Sequence, residues 1–235
     1  DEEYENSRFL FRHYTPIVVM EDQLGWCPIT YAKNTYGIGQ ERFGELHEGA
    51  AIFTLYNNDE ADLESTVTID LSGLQVSSER AAQLIAFELI DNTPIALQYN
   101  AEDNTLSYQR SLAVNDVSAV IIGTQEEIWD LLYNRVSKIF ARGERAIETI
   151  PSLSEEAGET LPENWNTVCD AVNETSAFAT MSASEAWEQR NQLLSGISAA
   201  VSASTAVIPE LTAGQHRLEV DVQNVYDDAA SLLSG

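Results

Sequence analysis

Apolar residues recur along this chain in two rhythms, and the change from one to the other divides it. Between Trp26 and Gly123 they fall in short runs of β-branched and aromatic residues separated by turn-formers. The six runs are AAIFTLYN, STVTIDLSG, LIAFELI, IALQYN, TLSYQRSLAV and VSAVIIG. Strands at such close spacing predict an antiparallel sandwich. In STVTIDL, Val67, Ile69 and Leu71 alternate with Thr66, Thr68 and Asp70, which predicts a strand with one wet face. Asn57 to Asp62 and Asn100 to Asn104 have the amide and carboxylate content of hairpin loops.

The flanks follow the helical rhythm. Near the start, Phe9, Leu10, His13, Tyr14 and Ile17 line one face of a predicted helix whose run Pro16 limits. After Gly123, Thr124 stands as an N-cap with Glu127 three residues on. Ile128, Leu131, Leu132, Val136 and Ile139 follow at helical spacing. Pro151 to Pro162 is rich in Ser, Glu, Gly and Pro and reads as a linker or long interhelical loop. Trp165 to Met181, Ala183 to Val207 and Thr212 to Leu233 are rich in helix-forming residues, with Pro209 between the last two. The expected fold is α+β in two modules, an antiparallel β-sandwich followed by a small helical bundle. Its expected parts are a helical segment over 1–24, the sandwich over 25–123 and a helical domain over 124–235.

Charge narrows the function classes. The net charge is −26, from 38 acids against 12 bases, and it is spread over both halves. Such a field repels phosphate backbones and anionic lipid, which excludes nucleic acid as a partner. No stretch approaches the ~20 apolar residues a membrane helix needs, so no membrane span is expected. The only lysines are Lys33 and Lys138 among abundant carboxylates. This composition resembles that of proteins working in salt or outside cells, so an extracellular or secreted location is expected. The acidic start lacks the features of a signal peptide, and is read as a chain whose signal was removed or as a piece of a longer one.

Catalytic chemistry finds little support. His13, His47 and His216 have no nucleophile elbow beside them and no metal-ligand partner at i+4. With 38 acids, pairs of carboxylates are too abundant for any one pair to point to glycosidase chemistry. Cys27 and Cys169 lie in different halves without a CxxC partner, and are read as two thiols or one interdomain disulfide. Asp59, Glu60 and Asp62 form a dense oxygen cluster in which Asp59 and Asp62 are candidate calcium ligands. The run lacks the Gly and terminal Glu of an EF-hand, and a solvated turn is the simpler reading. No other cofactor is indicated. Trp26, Tyr31, Tyr36 and Phe43 cluster in WCPITYAKNTYGIGQERFG. Core packing is the commoner role of such a cluster, and sugar stacking on Trp26, Tyr31 and Tyr36 is the sharper one. Trp129, Trp165 and Trp187 lie at helical positions and read as core.

The succession GWCPITYAKN, QERFG, GAAIFTLYNND and STVTIDLSGL resembles the C-terminal β-sandwich appended to TIM-barrel glycoside hydrolases. FLFRHYTPIVVMEDQLGW resembles the last barrel helix leading into it. The resemblance covers residues 1 to about 123. It implies a non-catalytic accessory region of a secreted carbohydrate-active enzyme, stabilising a catalytic barrel or contacting glycan. The implied partners are that barrel or another protein, and polysaccharide. It transfers no catalytic residue, because the acid/base and nucleophile belong to barrel strands. A free-standing carbohydrate-binding module and a structural or surface-assembly protein are the alternatives.

Self-repulsion among 38 acids should make the fold salt-dependent. The melting temperature by calorimetry is expected to rise from low to molar sodium chloride. A flat profile would show that the charges are already compensated.

Overall fold

The computed structural model describes residues 14–91, 93–158, 160–161, 163–176 and 180–207. It divides into two compact units, Asp1–Ile128 and Trp129–Gly235. The fold is α+β, and among the described residues all strand pairings are antiparallel.

Among the described residues the first unit opens on a helix, α1, over residues 14–24. Ten strands follow: β1 (Trp26–Cys27), β2 (Ala32–Lys33), β3 (Ile38–Phe43), β4 (Ala51–Asn57), β5 (Leu63–Asp70), β6 (Ile85–Glu88), β7 (Thr93–Ile95), β8 (Gln98–Asn100), β9 (Thr105–Leu112) and β10 (Val117–Gly123). One short helix, α2 (Ser78–Ala81), interrupts them. They form a six-stranded sheet in the order β1-β3-β4-β10-β6-β7 and a four-stranded sheet in the order β2-β5-β9-β8. The arrangement is sandwich-like: Ala51, Phe53, Leu55, Val120 and Ile122 of the first sheet share one core with Val67, Ile69, Leu106, Tyr108 and Leu112 of the second. At about 25 cal/mol per Å² of apolar surface removed from water, this shared core is the main drive for closing the sheets together.

β5 keeps the alternation its sequence predicts, with Val67 and Ile69 fully buried and Thr66 and Asp70 exposed. β4 and β10 differ. Ala51, Phe53 and Leu55 face the second sheet, so Ile52 faces the opposite way, yet Ile52 and its neighbour Ile121 are fully buried. α1 lies on this outer face, burying Ile17 and Met20 and bringing the Leu24 side chain near Gly44. Gly44 is required there: its φ is +89°, and a Cβ would meet the Ala50 carbonyl at 2.7 Å.

Three expectations change. The segment after Trp26 contributes β1, β2 and β3 in addition to the six expected runs. IALQYN is not one strand, because the chain leaves the first sheet after β7 and enters the second at β8. Asn100–Asn104 is a hairpin between β8 and β9, whereas Asn57–Asp62 carries the chain from one sheet to the other.

Among the described residues of the second unit the helices are α3 (Gln125–Ala157), which starts in the first unit, α4 (Trp165–Ser176), α5 (Ala183–Glu188) and α6 (Arg190–Val207). α3 runs through Pro151 to Ala157, so the first half of the expected linker is helix. Proline forfeits one hydrogen bond there. Ile147 and Ile150, just before it, are buried in one cluster with Trp165, Val168, Val172 and Ala200, which offsets the loss. Trp129 and Trp165 are buried as expected. The Trp129 ring packs against Tyr133 and Trp187 at 5.5 and 5.4 Å, and its indole N–H donates to the Ala183 carbonyl at 2.6 Å. The predicted stretch Ala183 to Val207 is divided at Gln189, and α5 begins on a Ser182–Glu185 capping box. Cys27 and Cys169 are free thiols. None of the described helices is long and apolar enough to cross a membrane. The predicted positions Phe9, Leu10 and His13, like Pro209 and Thr212 to Leu233, lie outside the described residues.

The start of α3 is fastened to the first unit. Thr124 and Glu127 form the predicted capping box: the Glu127 N–H donates to Thr124 Oγ1 at 3.3 Å, and the Thr124 N–H to Glu127 Oε2 at 2.9 Å. Arg80 of α2 grips both oxygens of the same carboxylate, at 2.8 and 2.9 Å, and also donates to the carbonyls of Leu46 and Gly49. Burial alone would raise the Glu127 carboxyl, but the Arg80 guanidinium and the Thr124 N–H outweigh it and hold it below the usual range. A carboxyl lowered in the folded state stabilises above its unfolded value of about 4.3, and that stability disappears as pH falls through the folded value. Glu127→Gln should therefore cost about 1.5 kcal/mol in urea denaturation at pH 7. At pH 3 the difference from wild type should largely vanish; an equal loss at both would mean the carboxylate charge plays no part.

Candidate functional site

Residues 26–43 form a strap that visits both sheets. β1 pairs with β3, with Trp26 opposite Phe43 and Cys27 opposite Arg42. The chain then crosses to the second sheet, where β2 pairs with β5, and returns as β3. Arg42, almost fully buried, clamps the near end: it donates to the Pro28 carbonyl at 3.1 and 3.2 Å, to the Gly44 carbonyl at 3.1 Å and to Glu45 Oε2 at 2.9 Å. The Glu45 carboxylate is held below its usual range, chiefly by this guanidinium.

The far end is a turn between β2 and β3. Asn34 Nδ2 donates to the Ile38 carbonyl at 2.9 Å. Thr35 Oγ1 donates to the Glu64 carbonyl and accepts from the Thr66 N–H. Tyr36 projects from this turn and is 97% exposed. Trp26 is 63% and Tyr31 44% exposed, so core packing is not the role of these three rings. Only Phe43 of the aromatic cluster is half-buried. Tyr31 is set by Gly73, where an added Cβ would run into its ring. Trp26 stands at the Phe43 end of β3 and Tyr36 just before its Ile38 end. About 17 Å of strand separates the two ends.

The β4–β5 loop supplies the acids. It is wound on Asn57, which is fully buried and whose amide donates to the carbonyls of Ala61, Leu112 and Ala113. The Asp59 N–H returns to Asn57 Oδ1 at 3.0 Å. Asp59 Oδ1 accepts from the Glu60 N–H at 2.7 Å and Asp62 Oδ1 from the Val114 N–H at 3.1 Å. Each candidate calcium ligand therefore gives one oxygen to the backbone around it. Among the described residues no three His, Cys, Asp or Glu side chains converge as metal ligands would. Asp59 has a second neighbour: its Oδ2 lies 3.0 Å from where a Gly37 Cβ would stand, and the Asn58 N–H donates to the Gly37 carbonyl at 3.4 Å. The structure thus brings Asp59 against the turn that carries Tyr36, while Trp26 stands at the other end of β3, Tyr31 lies against Gly73 and Asp62 is tied to Val114. His47 lies on a loop between Glu45 and Glu48, and His13 and His216 are outside the described residues.

A polar cluster at the sandwich interior was missed by sequence reasoning. Glu88 of β6 is fully buried. One of its oxygens accepts from Ser118 Oγ and the Ala119 N–H, both at 3.0 Å. The other accepts from the Ile90 and Asp91 N–H groups at 2.8 and 2.6 Å. Arg110 of β9 reaches in from the opposite sheet, donating to Ser118 Oγ at 3.1 Å and Asp91 Oδ2 at 3.2 Å and lying 3.8 Å from Glu88 Oε1. All its hydrogen bonds are internal, so it reads as a structural tie. A carboxylate inside the apolar run LIAFELI was the available signal.

No protein-family model, no curated protein and no solved structure matches the chain.

Of the four tryptophans only Trp26 is well exposed among the described residues. Trp26→Phe is expected to remove most of the acrylamide-quenchable, red-shifted emission and leave a blue-shifted remainder. Retention of the quenchable fraction would place Trp26 under other parts of the protein.

Proposed function

We propose that this chain is a non-catalytic accessory region of a secreted carbohydrate-active enzyme of the TIM-barrel glycoside hydrolase kind. Its sandwich contacts polysaccharide through Tyr36, with Trp26 as a second point. The helices after Gly123 form a small bundle that makes a protein contact, with the catalytic barrel as its partner. One observation carries the glycan part: an almost fully exposed tyrosine ring on a turn braced by Asn34 and Thr35, with the Asp59 carboxylate beside it. An aromatic face offers stacking to the C–H surface of a sugar, and a neighbouring carboxylate accepts from its hydroxyls. The separation of Tyr36 from Trp26 fits an extended polymer better than a single ring. The strap's succession of motifs and the helix leading into the sheets support the placement behind a barrel.

In native gels containing neutral glucan, xylan or mannan, the chain should be retarded by at least one polymer. Tyr36→Ala should weaken that retention about tenfold, the weight of one aromatic contact near 1.4 kcal/mol. Trp26→Ala should weaken it further. Unchanged migration of wild type in all three polymers would remove the glycan part of the reading.

A further inference from the structure

Between α1 and the outer face of the six-stranded sheet lies a cleft of about 550 Å³. Its walls are Tyr14, Ile17, Val18 and Glu21 of α1, with Gln40 and Glu41 of β3, Thr54 and Tyr56 of β4, Ile90, and Val117 of β10. The size is that of a small-molecule site, and the lining is mostly aliphatic and aromatic. Its charge has one sign. Glu21 and Glu41 flank one end, and among the described residues neither carboxylate makes an ion pair. The Glu21 carboxyl is pushed up, first by burial and then by the Glu41 charge. At the other end the Tyr14 phenol is pushed up by burial and by the carboxylates of Asp116, Glu88 and Asp91.

We propose that this cleft binds a small organic cation, an ammonium group carried on an aromatic or short aliphatic stem. The stem fills the apolar space between Val18, Ile17 and Val117. The ammonium sits between Glu21 and Glu41, where it relieves the repulsion between the half-buried Glu21 carboxylate and the exposed Glu41 beside it. The Tyr14 and Tyr56 rings add apolar wall for the stem. The protein's charge of −26 concentrates cations at its surface and repels anions, which selects the sign of the ligand before contact. A bare metal ion would leave the apolar floor unused, and a neutral stem would leave the two carboxylates uncompensated. The inference uses different residues from the glycan site, so either stands without the other.

The test is a nitrogen-15 NMR titration of the full chain with 2-phenylethylammonium and, separately, with 2-phenylethanol, its uncharged counterpart. Saturable shifts confined to residues 14–21, 39–41, 54–56 and 117–119 are expected for the ammonium, with the alcohol at least about tenfold weaker. The double variant Glu21→Gln, Glu41→Gln should reduce ammonium affinity by about tenfold and leave the alcohol unchanged. The proposal is overturned if ammonium and alcohol bind alike, or if the ammonium gives only unsaturating shifts spread over the acidic surface. It is equally overturned if the double variant keeps full affinity. The wild-type comparison decides the question without any variant.

Discussion

The Glu88 carboxylate is the constraint around which the first unit closes. A charge removed completely from water costs several kcal/mol unless every lone pair finds a donor. Here four donors meet it, two from β10 and two from the chain leaving β6. Satisfying them fixes β6 against β10 and bends residues 89–91 toward β7. Arg110 extends the arrangement across the interior, since it comes from the other sheet and shares Ser118 with Glu88. The apolar core supplies most of the favourable free energy but tolerates sliding. The carboxylate does not, and so it sets how the two sheets are aligned. Ile90 and Ser118, which also wall the cleft under α1, are placed by the same bonds.

Much of this was legible in the order of residues. β5 follows its alternation residue by residue, because one face of the second sheet is wet. The capping box at Thr124 is local chemistry and appears as written. What could not be read depends on contacts distant in sequence. Two-residue strands such as β1 and β2 have no period to detect, and exist only because β3 and β5 offer them a ladder. β10 reads as a continuous apolar run, since α1 covers the face that would otherwise be wet. Pro151 suggested an end to the helix, but burial of Ile147 and Ile150 carries α3 past it.

The candidate site was partly legible for the same reason. Aromatic residues in the strap were visible, but whether they face the core or solvent depends on where the chain changes sheets. That crossing turns Trp26, Tyr31 and Tyr36 outward. Asp59 was noticed as one of a group of acids, whereas its place beside Tyr36 arises from Asn57. The buried amide of Asn57 winds the β4–β5 loop back toward Gly37.

The cover that α1 gives the sheet also bears on where this polypeptide can be divided. By rhythm alone the helix is a leader and the strands a module of their own. In the molecule, the outward faces of β4 and β10 carry Ile52 and Ile121 fully enclosed. A piece beginning at the first strand would present that aliphatic surface to water and to other copies of itself. A boundary drawn between helix and sheets would therefore cut through packed surface rather than beside it.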